Sequence, residues 1–143
     1  MFTGTAYHTL DEKGRVVLPA KYREELEGGC YVTPGQDRCL YVFTVERFQE
    51  EADRVKRLPR TDGRARGFGR TFFHRAEQQA LDRQGRLVID QSLREWAELT
   101  REVVVAGSYD RIEVWNSERY GIYRDQHDSD YSDIEEALSE YGI

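Results

Sequence analysis

Little in this chain is equipped for catalysis or metal binding. Its three histidines, His8, His74 and His127, are scattered, and neither they nor the two cysteines, Cys30 and Cys39, fall at metal-ligand spacing. There is no phosphate-cradling glycine loop, no G-x-S-x-G and no paired Cys and His. These absences set enzymatic chemistry aside and leave no cofactor, metal or small-molecule substrate to expect. Long apolar runs are missing too. None approaches the roughly 18 residues that span a bilayer, and the opening MFTGTAYHTLDEKG lacks the basic and apolar regions of a signal peptide. The expectation is a cytoplasmic protein without a membrane partner. Cys30 and Cys39 fit that compartment as reduced thiols, although their nine-residue spacing would let them face each other across a hairpin.

A surplus of positive charge is also absent. The net charge is −6, which argues against a nonspecific polyanion binder. The distribution is more informative than the sum. Arg54, Lys56, Arg57, Arg60, Arg64, Arg66, Arg70 and Arg75 crowd one stretch that holds Asp62 as its one acid. From Asp125 onward come Asp128, Asp130, Asp133, Glu135, Glu136 and Glu140, with no Lys or Arg. A basic middle and an acidic tail point to opposite faces or to pairing between subunits. Taken alone, the tail reads as a frayed, charged terminus.

What the sequence does have is an internal duplication. Residues 10–24, LDEKGRVVLPAKYRE, are matched by residues 81–95, LDRQGRLVIDQSLRE, at an offset of 71. A second block, YVTPGQDRCLYVFTVERF (31–48), is matched by VVVAGSYDRIEVWNSERY (103–120) at an offset of 72. Two matched blocks in the same order predict a pseudo-symmetric domain in which each copy presents the same features. The chain length fits a single domain, and 38% hydrophobic and 12% aromatic content suffices for a modest core.

Each copy predicts the same order of elements. A strand leads in, over Phe2–Leu10 or, more briefly, Gln78–Leu81. A turn follows at Asp-x-x-Gly, where Gly14 or Gly85 supplies a positive φ. Then come a strand at Arg15–Leu18 or Arg86–Ile89 and a short helix, opened by Pro19 at its first position or by Asp90 as cap. Two strands joined through Gly35 or Gly107 follow. Thr44 and Asn116 are positioned to cap a closing helix, with Phe48, Ala52 and Val55 as the inner stripe in the first copy and Tyr120 and Tyr123 in the second. A further helix over 64–77 would place Phe68, Phe72 and Phe73 inward. The resulting organisation is repeat one with its closing helix at 1–58, a basic linker and helix at 59–76, repeat two at 77–124 and an acidic tail at 125–143. Two such halves, each too short to close a core alone, can interleave into a small barrel with exchanged hairpins.

In the repeated motif, Asp11 or Asp82 can accept hydrogen bonds from the turn amides and can pair with the arginine four positions on. That fixes the Arg15 or Arg86 guanidinium near the turn. A planar fork of donors so held matches guanine O6 and N7 or phosphate oxygens. The same pairing also works as an internal brace that only stiffens the turn. Lys13 and Arg83 lie in the same turns and are the expected phosphate contacts. Arg23-Glu24 and Arg94-Glu95 read as scaffold or subunit contacts.

The opening MFTGTAYHTLDEKGRVVLPAKYRE, with FGRTFFHRAEQQALDRQGRLVID and VVVAGSYDRIEVWNSERY, resembles the MraZ family over most of the chain, from Met1 to about Tyr123. One departure is Asp90, which stands where the family commonly has proline. The resemblance implies an α+β fold, a tandem AbrB-like (swapped-hairpin) β-barrel with short flanking helices. It implies a nucleoid-associated transcriptional regulator that assembles into rings, often octameric. Such proteins bind double-stranded DNA at G-rich direct repeats upstream of the division and cell wall gene cluster that contains their own gene. The family's motif falls on Asp11 with Arg15 and on Asp82 with Arg86, which makes those two arginines the expected DNA contacts. A protein-interaction module, antitoxin-like and directed at a protein partner, is the alternative.

Overall fold

Eight strands and five helices follow one another in two runs of the same order. The protein is described by a computed structural model covering residues 1–143. The first run holds β1 (Thr5–Thr9), β2 (Arg15–Val17), α1 (Ala20–Arg23), β3 (Cys30–Pro34), β4 (Leu40–Thr44) and α2 (Val45–Lys56). An extra helix, α3 (Gly63–Arg75), leads to the second run: β5 (Glu77–Gln79), β6 (Arg86–Val88), α4 (Gln91–Trp96), β7 (Glu102–Gly107), β8 (Ile112–Asn116) and α5 (Ser117–Ala137). The fold is mixed α+β, and every strand pairing is antiparallel.

The copies are interleaved. Six strands form one sheet in the order β1-β7-β8-β4-β3-β5, so the first strand of each copy pairs with the third strand of the other. At the centre, β4 meets β8 in the register Leu40↔Val114, Tyr41↔Glu113, Val42↔Ile112. Because Leu40 corresponds to Ile112 and Val42 to Val114 in the duplication, this register maps onto itself, and a pseudo-twofold axis passes through the Tyr41–Glu113 pair. The remaining strands, β2 and β6, form a separate two-stranded ribbon on the same axis, with Val16 opposite Leu87. The sheet is open: β1 and β5 are its edges.

Alternation along the strands places the core between sheet and ribbon. Val16, Leu18 and Tyr22 meet their counterparts Leu87, Ile89 and Leu93, all buried, over Val32, Leu40, Val42, Val103, Val105, Ile112 and Val114. Each such aliphatic side chain contributes about 1.5–3 kcal/mol by leaving water. Neither half has this core by itself.

Local details follow the sequence with four corrections. Thr44, Asp90 and Asn116 cap their helices by accepting from the backbone N–H of Arg47, Leu93 and Arg119. Pro19, expected at the first helical position, is instead the extended cap residue before α1. Cys30 and Cys39 do not face each other, because Cys30 pairs with Thr44 at one end of the hairpin while Cys39 precedes β4 at the other. Both are buried free thiols; burial pushes Cys30 up to about 11 and Cys39 higher still. In α3, Phe72 alone is buried, and Phe68 and Phe73 remain largely exposed. The Phe72 ring stacks on Phe48, which stacks in turn on Tyr31 at 3.7 Å between centroids. Finally, the acidic terminus is helical: α5 continues unbroken to Ala137 and ends in a 3-10 turn at Ser139–Tyr141. No helix is long and apolar enough to cross a membrane.

Candidate nucleic-acid interface

The two Asp-x-x-Gly-Arg turns have the same hydrogen bonds, atom for atom. Asp11 Oδ1 accepts from the backbone N–H of Lys13 and of Arg15, both at 2.9 Å, and Oδ2 accepts from Arg15 Nε at 2.6 Å. Asp82 Oδ1 accepts from Gln84 and Arg86 N–H, again at 2.9 Å, and Oδ2 from Arg86 Nε at 2.6 Å. The backbone N–H of Arg15 or Arg86, then the other donors, hold each carboxyl below its ordinary value. The internal brace is therefore present in both copies. It does not consume the arginine: only Nε is engaged, and the Nη groups of Arg15 and Arg86 have no partner within the chain.

The ribbon puts both guanidinium groups on one side. Arg15 lies opposite Val88, and Val17 lies opposite Arg86. Residues directly opposite, or two apart along a strand, share a face. Arg15, Val17, Arg86 and Val88 thus form one face, while Val16 and Leu87 turn into the core. Arg15 and Arg86 are diagonal neighbours, a relation that spaces residues about 7–8 Å apart, with Cβ atoms somewhat closer. The arginines are neither sequestered nor opposed.

The turns are locked together across the duplication. Leu18 N–H donates to Gly85 O at 3.0 Å and Ile89 N–H to Gly14 O at 2.8 Å. Gly14 and Gly85 have φ of +75° and +74°, conformations that L side chains resist. A Cβ on Gly14 would collide with the guanidinium of Arg94, and one on Gly85 with that of Arg23. Each of these arginines donates to a carbonyl of its own copy, Arg23 to Leu18 O and Arg94 to Ile89 O. The expected scaffold role of Arg23 and Arg94 thus takes a specific form: each covers the other copy's turn.

Lys13 and Arg83 are both exposed at the ribbon's ends, but they are not equivalent. Lys13 corresponds to Gln84, and Arg83 to Glu12. The four basic side chains of the turns stand against three acidic ones, Asp11, Glu12 and Asp82, so this face is only weakly positive. One supporting residue escaped the sequence reading. Gln79 reaches from β5 to the ribbon, donating to Val88 O at 2.6 Å and accepting from Val88 N–H at 2.8 Å. Its counterpart in the first copy is His8, and an amide and an imidazole give no common signal.

The family model described as "MraZ protein, putative antitoxin-like" matches residues 1–71 and again 72–140. The chain belongs to the MraZ family. It is 46% identical over 138 residues to the transcriptional regulator MraZ of Saccharopolyspora erythraea, covering 96% of each chain. It is 44% identical over 138 residues to that of Salinispora arenicola, covering 96% of this chain and 97% of the relative. With that of Finegoldia magna it shares 38% identity over 143 residues, the full length of both. The MraZ family is one of transcriptional regulators, not of enzymes.

Proposed function

We propose that this chain is a sequence-specific DNA-binding transcriptional regulator that reads guanines with Arg15 and Arg86. The observation that carries the reading is the pair of equivalent guanidinium groups on one ribbon face, each anchored through Nε with its Nη donors free. An anchored guanidinium loses less side-chain freedom on binding, and its two free ends match guanine O6 and N7. The separation of about 7–8 Å is close to two base steps of about 3.4 Å. Lys13 and Arg83 would reach phosphates on either side. The cross-copy pairing fits the swapped-hairpin barrel of AbrB-like proteins, and the division into repeats at 1–58 and 77–124, with 59–76 between them, follows from the same reading.

The weak positive charge of one ribbon argues for several ribbons acting together. A ring of subunits touching successive G-rich repeats would gain through multivalency what each contact lacks. The operator we propose lies upstream of the protein's own gene in the division and cell wall cluster, which places the protein in the cytoplasm on the nucleoid. A gel shift with that upstream DNA tests the reading. Arg15→Ala and Arg86→Ala should each cost about 1–3 kcal/mol per lost guanine contact, and Lys13→Ala should lower the salt slope by about 1 without changing sequence preference. A double arginine variant that folds and binds as tightly as the wild type would sink the proposal. Absence of any DNA binding at low salt would favour the antitoxin-like module directed at a protein.

A further inference from the structure

Two valines share the ribbon face with the arginines. Val17 and Val88 are 38% and 49% exposed, although their strand neighbours Val16 and Leu87 are buried. They are one position of the duplication, because the offset of 71 carries Val17 onto Val88. The core positions beside them are not held to one residue: Val16 becomes Leu87, and Leu18 becomes Ile89. A solvated strand position ordinarily takes a polar residue, and threonine would keep the strand preference of valine while exposing one methyl group fewer. The outward apolar position of the ribbon is nevertheless valine in both copies, just as its neighbour is arginine in both.

The backbone fixes where these valines stand. Arg15 N–H donates to Asp11 Oδ1 and Val88 N–H to Gln79 Oε1, both partners outside the ribbon. The strands bond each other through the alternate positions, with Leu18 N–H on Gly85 O and Ile89 N–H on Gly14 O. Arg15–Val88 and Val17–Arg86 are thus the pairs without mutual hydrogen bonds, the kind in which opposed Cα atoms lie about 4.5 Å apart and side chains come closest. Valine is stiff at χ1, so each arginine has a fixed apolar neighbour beside it, at a distance near one base step of about 3.4 Å. A two-stranded ribbon fits the major groove, and the apolar group that a base pair presents there is the C5-methyl of thymine.

We propose that Val17 and Val88 contact thymine C5-methyl groups, so that the ribbon reads an A·T pair beside each guanine. Val88 stands next to Arg15, and Val17 next to Arg86. Each reading unit therefore combines an arginine from one copy with a valine from the other, and neither copy holds a complete unit. The inference rests on the reading of guanines by Arg15 and Arg86. It adds the identity of the neighbouring base, which the arginines alone do not select.

The test is a gel shift of the full chain on the DNA upstream of its own gene, prepared once with thymine and once with uracil at every thymine position. Uracil pairs as thymine does and lacks only the methyl group. The wild type should bind the uracil form about fourfold more weakly for each methyl that loses its contact, the worth of one buried methyl-sized group. A Val17→Ser, Val88→Ser variant, shown to be folded by circular dichroism, should bind the thymine form as weakly as the wild type binds the uracil form. It should also show no preference between the two. Equal affinity of the wild type for both forms would overturn the proposal, whether or not the serine variant folds. So would a thymine preference that survives in the serine variant, because it would then belong to the duplex and not to the valines. In both cases an Arg15→Ala variant that loses affinity would leave the guanine reading standing. An Arg15→Ala, Arg86→Ala variant that binds as tightly as the wild type would remove that reading and this one with it.

Discussion

In the first repeat Phe48 on α2 lies stacked between Tyr31 and Phe72, and α3 closes over it. In the second, its counterpart Tyr120 meets Trp115 edge-on, and the chain leaves in a long helix that folds back on nothing. Yet the Asp-x-x-Gly-Arg turns of the same two repeats agree to within 0.1 Å in every side-chain bond of the brace. The duplication has thus kept one end of the domain symmetric and released the other. The symmetric end carries the two arginines proposed above to meet one regular duplex. The asymmetric end carries an exposed acidic helix in one repeat and a covered aromatic stack in the other.

The largest expected effect breaks this comparison at the closing helices. Phe72→Ala removes a buried ring at the centre of an aromatic stack and should cost about 3–5 kcal/mol. Tyr123→Ala, on the half-free helix of the second repeat, removes the half-exposed contacts with Trp115 and His127 and should cost about 1 kcal/mol. Urea denaturation of the two variants measures the difference. Equal losses would mean that α5 is as deeply integrated as α3, contrary to its exposure.

At the turns the expectation reverses, and the two repeats should respond alike. Gly14→Ala and Gly85→Ala each force an L residue into a left-handed conformation and displace an arginine from a carbonyl, together about 2–4 kcal/mol. Denaturation should report losses that agree within about 0.5 kcal/mol. A large disparity would show that the ribbon's two ends do not share their load, and would weaken the case that they share a ligand.

How much of this was legible in the sequence follows from the range of the interactions. The brace is written within five residues, since Asp11 bonds to positions two and four ahead, and the motif carried its own geometry. The caps Thr44, Asp90 and Asn116 were legible for the same reason. Pairing across the copies was not. An apolar triplet such as Val16–Leu18 states that a strand has a buried face but not which strand it meets, and Arg94 lies 80 residues from the Gly14 turn that it covers. The tail misled because carboxylates surround its apolar positions. Tyr131, Ile134 and Leu138 look isolated until helical spacing lines them up.

The smallest effects concern protonation, and they sharpen the same contrast. Asp11 and Asp82 both fall below the ordinary 3.8, first because a backbone N–H of the following arginine bonds the ionised form. A lowered folded value means that the stabilisation is complete above 3.8 and is lost as pH falls through that lower value. Asp11→Asn and Asp82→Asn should therefore blunt the acid transition equally, as followed by circular dichroism below pH 4. Glu77 moves the other way. A hydrogen bond shared with Asp90, then burial, holds its carboxyl above the ordinary 4.5. Its contribution is complete below 4.5 and fades as pH rises through the higher folded value. The first repeat has Ala6 and Pro19 at these places and no such pair. Glu77→Gln should thus stabilise the protein at pH 7 relative to pH 4, an asymmetric response superimposed on two symmetric ones. If the two Asn variants differed from each other instead, the equivalence of the turns would not hold in solution.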